Sequence, residues 1–191
     1  MTRQNMMQGE YDPPVPTRIV FGNGKTDSLK EEIQKLGGKR ALILSGRSVA
    51  EKTESVQRVA DVLGDVSVAA YSGLTQRAPL GAAVDAANMA TDAGVDTLVG
   101  VGGSTISDAA RMISVLMAQG ITTVDQLRNL GEENDLMLSP DLDDQKLSLQ
   151  VSIPTTLSAG EFNMGGGNVI DDEAGHKIRA RHARLYADLI V

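Results

Sequence analysis

Short apolar runs alternate along this chain with stretches whose apolar residues recur at helical spacing, and glycines mark the switches between the two periods. The clearest run is Ala41-Leu42-Ile43-Leu44, a continuous apolar segment of the kind a parallel strand covered on both faces requires. Similar strand signals lie at 17–21, 66–71, 97–101 and 148–153. Between them, helices are predicted at 26–36 (Leu29, Ile33, Leu36), 52–63 (Val56, Val59, Leu63), 80–90 and 105–117, with a short one at 124–130. This alternation predicts an α/β fold, a parallel sheet with helices on both faces. Segments 168–170 and 177–181 flank an Asp- and Gly-containing turn and read as a β-hairpin near the C-terminal end. Residues 132–144 read as an acidic, solvated loop. Residues 1–16, which include Pro13, Pro14 and Pro16, read as a flexible arm, leaving 17–191 as one domain. The final run, 185–191, is apolar except for Asp188 and is expected to continue into further sequence.

The chain carries 25 acidic against 18 basic residues, a net charge of -7. That balance argues against a broad basic footprint for nucleic acid or an anionic membrane. Cysteine is absent, which excludes disulfide scaffolds, Cys-ligated zinc, iron-sulfur centres and thiol catalysis. No apolar run approaches the length of a membrane span, and the polar first ten residues lack signal-peptide character, so a cytoplasmic protein is expected. With no tryptophan and aromatics at only Tyr11, Phe21, Tyr71, Phe162 and Tyr186, there is little material for base stacking.

The most informative segment runs from Leu98 through Gly100-Val101-Gly102-Gly103-Ser104-Thr105 to Asp108 and Arg111. A strand passes through two glycines and two hydroxyl residues into a helix. Such a turn brings backbone close to a pyrophosphate, aims the amides of the first helical turn at it and adds the Ser104 and Thr105 hydroxyls. It is not a Walker sequence, since the Gly-Lys-Ser/Thr ending is missing. Glycine-rich strand-to-helix turns also arise from packing alone, and the residues leave both readings open. Asp108 reads either as an N-terminal cap or as a residue facing bound ligand. A second turn, Pro154-Thr155-Thr156, follows another strand, and ligands of open parallel sheets collect outside such strand ends. On its own it reads as a proline-directed turn capped by threonine.

In this order the two turns resemble the iron-containing (group III) alcohol dehydrogenase family, and its maleylacetate-reductase-like members above all. The family signature Gly-Gly-Gly-Ser/Thr-x-x-Asp-x-Ala-Lys stands here as Gly102-Gly103-Ser104-Thr105-Ile106-Ser107-Asp108-Ala109-Ala110-Arg111, with Ser104 for the third glycine and Arg111 for the lysine. Its Pro-Thr-Thr loop followed by glutamate matches Pro154-Thr155-Thr156 through Glu161, and its first strand and Phe-Gly-x-Gly turn match residues 19–24. The resemblance implies a Rossmann-like domain in which Gly102, Gly103, Ser104 and Thr105 hold the pyrophosphate of NAD or NADP. It places Asp108 near the nicotinamide, and Thr155, Thr156 and Ser158 along the adenosine or ribose. Lys177 takes the place of a lysine near the cofactor ribose, though the residue reads equally as a solvated hairpin lysine. Many NAD-using members carry an aspartate after the second strand, where this chain has Ser45-Gly46-Arg47. Gly46 and Arg47 thus leave NAD and NADP both open, because no carboxylate repels a 2'-phosphate and Arg47 is placed to pair with one.

The resemblance also implies a second, all-helical domain in which an aspartate and histidines bind iron or zinc, and it places that domain outside these 191 residues. His176 and His182 lie outside the family's ligand pattern and read as surface histidines, so no metal ligand is expected in this chain. Two readings follow. In one, the chain is the nucleotide-binding lobe of a dehydrogenase acting on small alcohols or carbonyls, inactive alone and associating as a homodimer or with the helical domain. In the other, it is a stand-alone nucleotide-binding or protein-interaction module without catalysis.

Overall fold

A computed structural model of the chain describes residues 9–11, 17–133, 137–138, 147–163 and 165–191. Strand β1 (Gly9–Tyr11) pairs antiparallel with β2 (Arg18–Phe21), so part of the stretch expected as a loose arm is an edge strand. The helix expected over 26–36 begins as a 3-10 turn, Lys25–Ser28, and only then becomes α1 (Leu29–Lys35). Leu29 and Ile33 are buried as their spacing requires, whereas Leu36 ends the helix and stays 37% exposed.

β3 (Ala41–Ser45) is buried along its whole length. The helix expected over 52–63 is α3 (Ser55–Leu63), and a short helix that was not expected, α2 (Arg47–Lys52), precedes it. Thr53 breaks them apart. Its backbone is extended, and its hydroxyl donates to the Val49 carbonyl at 2.6 Å while accepting the Ser55 N–H at 3.3 Å. A short hydroxyl side chain offers the backbone this alternative to helix. β4 (Ser67–Tyr71), α4 (Leu80–Asp92), β5 (Thr97–Gly102), α5 (Ser104–Gln119) and α6 (Val124–Glu133) follow close to expectation. β6 (Met137–Leu138) falls within the stretch expected as an acidic loop, most of which lies outside the described residues. β7 (Leu149–Pro154), the hairpin β8 (Gly166–Asp171) and β9 (His176–Arg181), and β10 (Leu189–Ile190) complete the order.

The main sheet runs β1-β2-β10-β7-β5-β3-β4, and every pairing after the first is parallel. Both faces are covered. Ala41, Ile43, Val99 and Val101 pack with Leu29, Ile33, Val59 and Leu63 on one side. Leu42, Leu44 and Leu98 pack with α4 and α5 on the other. Successive strand residues point to opposite faces, so two apolar faces demand the continuous runs seen at 41–44 and 97–101. A second sheet, β6-β9-β8, lies against α5. Gly167 makes that contact possible: a Cβ there would lie 2.6 Å from the Asp108 carbonyl oxygen and 2.9 Å from the Met112 nitrogen.

Two buried carboxylates fasten separate elements together. Asp171, at the end of β8, takes a bidentate grip from Arg128 of α6, Nε to Oδ2 at 2.6 Å and Nη2 to Oδ1 at 3.2 Å. Asp188, the one polar residue of the final apolar run, is buried before β10, and its Oδ2 accepts the Gln150 N–H at 2.8 Å. None of the described helices is long and apolar enough to cross a membrane.

Candidate nucleotide-binding site

After β3 the chain places β4 on one side, then returns to place β5 on the other. This reversal opens a crevice beyond the C-terminal ends of β3 and β5, where neighbouring connections leave in opposite directions. A cleft of about 330 Å³ lies there. Gly46 and Arg47 after β3, Gly102 at the end of β5 with Gly103 and Thr105 beyond it, and Thr155 and Thr156 after β7 all line it. Residues singled out from three separate turns of the sequence therefore meet in one crevice.

The two central glycines are needed by packing in their own right. A Cβ on Gly102 would come within 2.4 Å of Ile106, and one on Gly103 within 2.7 Å of the Thr156 Oγ1. Close packing and ligand approach thus make the same demand on these positions. The Gly102 carbonyl accepts the Thr155 N–H at 3.0 Å, which ties the two turns together at the cleft wall. Ser158 does not line the cleft. Its hydroxyl accepts the Ser104 N–H at 3.1 Å and lies 3.2 Å from the Thr156 hydroxyl, so it braces the turns from behind.

A second cavity, about 210 Å³, adjoins the first and shares Gln76 and Thr105 with it. Ser104, Asp108, Asn168 and Lys177 line it. Asp108 sits on the second turn of α5 and is not its cap. Its Oδ2 accepts the Asn168 Nδ2–H at 2.7 Å, and its Oδ1 lies 3.4 Å from Arg111 Nη1. Burial pushes the Asp108 carboxyl above its ordinary range, opposed by Asn168, Arg111 and Lys177, which favour the charged form. Lys177 is exposed on β9, yet it faces this carboxylate across the cavity.

The crevice gathers Arg47, Arg77 and Lys177 on a chain that is acidic as a whole, and such a local excess of cations draws anions. Arg77 and Gln76 escape sequence reasoning. Arg77 and Ala78 both have positive φ, 71° and 52°, in a stretch without glycine. The conformation is held from outside: Ala78 is buried, its N–H donates to the Thr75 carbonyl, and its own carbonyl accepts the Ile170 N–H at 3.0 Å. Asn168, in the middle of a strand, gives no signal of its role either.

The histidines stand differently from expectation. Both are half-buried; His182 Nδ1 accepts the Arg184 N–H at 3.2 Å, and the His176 Nε2 is buried without a partner. Among the described residues no group of three or more His, Cys, Asp or Glu could hold a metal ion.

A model of the iron-containing alcohol dehydrogenase family matches residues 16–191. The chain belongs to this family. Maleylacetate reductase 2 of Cupriavidus pinatubonensis (strain JMP 134 / LMG 1197) is 34% identical over 100 residues, 52% of this chain and 27% of that protein. NADH-dependent butanol dehydrogenase A from Thermotoga maritima superposes with a TM-score of 0.74 at 21% identity, over 94% of this chain and 43% of that one. Sulfoacetaldehyde reductase from Bifidobacterium kashiwanohense, solved in complex with NAD+, gives 0.76 at 13% identity over 94% and 45%. The chain spans less than half the length of each of these relatives. Iron-containing alcohol dehydrogenases are oxidoreductases, and the described residues correspond to their Rossmann-like part. The family's iron does not fit the residues described here, which assemble no ligand set for it.

Proposed function

We propose that this chain is the nicotinamide-dinucleotide-binding lobe of an oxidoreductase that moves hydride between NAD(P)H and a small alcohol, aldehyde or keto substrate. The observation that carries this reading is the meeting of the Gly46–Arg47, Gly102–Thr105 and Thr155–Thr156 turns in one crevice at the sheet's switch point. A dinucleotide is long, bears two phosphates near its middle and carries ribose hydroxyls on either side. Two adjoining cavities, cationic side chains and threonine hydroxyls match that chemistry. When bound, the dinucleotide supplies the hydride.

The residues act as follows in this reading. Gly102, Gly103, Ser104 and Thr105 receive the diphosphate, and Thr155 and Thr156 offer hydroxyls to the adenosine side. Asp108, held by Asn168, and Lys177 frame the nicotinamide side. Arg47 lines the same cleft, and in this reading its guanidinium would pair with a 2'-phosphate where one is present, so NAD and NADP both stay open. Polarisation of the substrate oxygen by metal is not assigned to any of these residues. Association with a second copy or a helical domain, and a cytoplasmic location, belong to the same proposal.

The test is calorimetric titration of the chain with NADH and with NADPH, with and without added iron or zinc. Micromolar binding of either cofactor, unchanged by metal, is expected. No binding of either would overturn the reading and favour an interaction module.

A further inference from the structure

Arg111 is a departure from the family signature, which ends in lysine, and it is among the largest fully buried side chains of the chain. Its side chain is 2% exposed. Nη2 donates to the carbonyl oxygens of Gly160 and Glu161, both at 3.1 Å, while Nη1 lies 3.4 Å from the Asp108 carboxylate. The guanidinium therefore reaches from α5 into the loop that follows β7. The Thr155 N–H on the Gly102 carbonyl and the Ser158 hydroxyl under the Ser104 N–H anchor the start of that loop, and Arg111 takes hold further along, at Gly160 and Glu161. Thr155, Thr156, Leu157, Ser158 and Ala159 are all exposed, and Leu157 is fully so. Ala159 has a positive φ of 56°, which the surroundings must enforce.

From this geometry we infer that Arg111 is a positioning residue for the cofactor site: its guanidinium fixes loop 155–162 so that Thr155 and Thr156 face the crevice. The inference rests on the dinucleotide reading above. A planar guanidinium presents several N–H donors in fixed directions, whereas an ammonium is a compact point charge on a flexible stem. Holding two successive carbonyls and a carboxylate together suits the first and not the second. Asp108 and Glu161 balance the buried charge electrostatically. Gly167 presses on the Arg111 Cβ, where a Cβ of its own would stand 2.8 Å away, so β8 confines the side chain from above. With the loop set in advance, the cofactor loses less free energy to ordering it.

The experiment compares the chain with its Arg111→Met and Arg111→Lys variants by two readouts. The first needs no cofactor: limited chymotrypsin digestion, reading cleavage after Leu157 and Phe162 by mass spectrometry. The second is the calorimetric Kd for NADH and NADPH. Arg111→Met is expected to raise loop cleavage about tenfold and to weaken the cofactor about tenfold, with Arg111→Lys recovering part of both. Thermal melting monitors the fold, and if Arg111→Met does not fold, Arg111→Lys alone decides. Wild-type cleavage and affinity in Arg111→Lys would overturn the role of the fork, as would a folded Arg111→Met with unchanged cleavage. If the unsubstituted chain binds neither cofactor, the dinucleotide reading fails, while the cleavage comparison still tests the hold of Arg111 on the loop.

Discussion

Gly160 lies so close to Ser104 that a Cβ built on it would stand 2.5 Å from the Ser104 Cβ and 2.6 Å from the Ser104 Cα. The family signature has glycine where this chain has Ser104, so the extra side chain at the head of α5 is accommodated by the missing one in the loop after β7. Gly160→Ala is expected to destabilise the chain by about 1–3 kcal/mol through overpacking. Ser104→Gly in the same molecule removes the Cβ contact but not the approach to the Cα, so the double variant recovers part of the loss. Urea unfolding of the two single variants and the double gives the coupling directly.

Ser158→Ala removes the acceptor for the Ser104 N–H. A loss of about 1 kcal/mol is expected, at the modest end because both groups are exposed and water replaces the hydroxyl. If Ser158 braces the turns, cofactor affinity falls along with stability. If only stability falls, its part in positioning Thr156 is refuted.

Arg47→Asp is expected to reverse any preference for NADPH, weakening NADPH by tenfold or more while leaving NADH within about threefold. Competitive titration with the two cofactors measures it. Equal losses for both would place Arg47 outside the 2'-phosphate position.

Acid stability is expected to depend on Asp171. The Arg128 guanidinium holds its carboxyl down to about 2, against an ordinary value of 3.8. A depressed folded value means that the stabilisation is fully present above 3.8 and is lost as pH falls towards about 2. Its size is on the order of 1 kcal/mol once solvent screening around Arg128 is counted. Asp171→Asn should flatten that part of the stability–pH curve in thermal melts between pH 2 and 5. An unchanged slope would count against the pair.

Asp108 and Asp188 act in the opposite sense. Burial raises both carboxyls, so each favours the folded state most at low pH, and that contribution fades as pH rises through the folded value. Asn168→Ala takes away a hydrogen bond to the charged form and is expected to push Asp108 higher still, which carboxyl NMR titration would follow. A downward movement would contradict the role given to Asn168.

How much of this was readable beforehand depended on how local the determinants are. The runs at 41–44 and 97–101 announce buried parallel strands because each covered face imposes its own apolar residue, and the glycines at 102 and 103 place the start of α5 within a residue. The short helix α2 is hidden, since its six residues carry too little apolar spacing to announce a helix, and a hydroxyl hydrogen bond from Thr53 marks its end. Arg77 and Ala78 are of residue types that argue against positive φ, and the contact that holds them comes from Ile170 in β8. Arg111 stands out in the motif as a departure, but the carbonyls it binds are 49 and 50 residues away in sequence. Nothing along the chain marks those partners.

β10 carries a consequence for how the molecule is assembled. Leu189 pairs with Arg18 on one side and with Val151 on the other, so among the described residues the strand pairing that joins β1 and β2 to the rest of the sheet runs through β10. During synthesis the earliest strands must wait, unseated, until residue 190 has cleared the ribosome. Contacts between such distant parts of a chain form slowly, and the open flank of β7 is bare until they do. The order of emergence is therefore nearly the reverse of the order of closure along that flank, and cutting the chain ahead of Leu189 would remove β10 and release β1 and β2, leaving the four strands β7-β5-β3-β4.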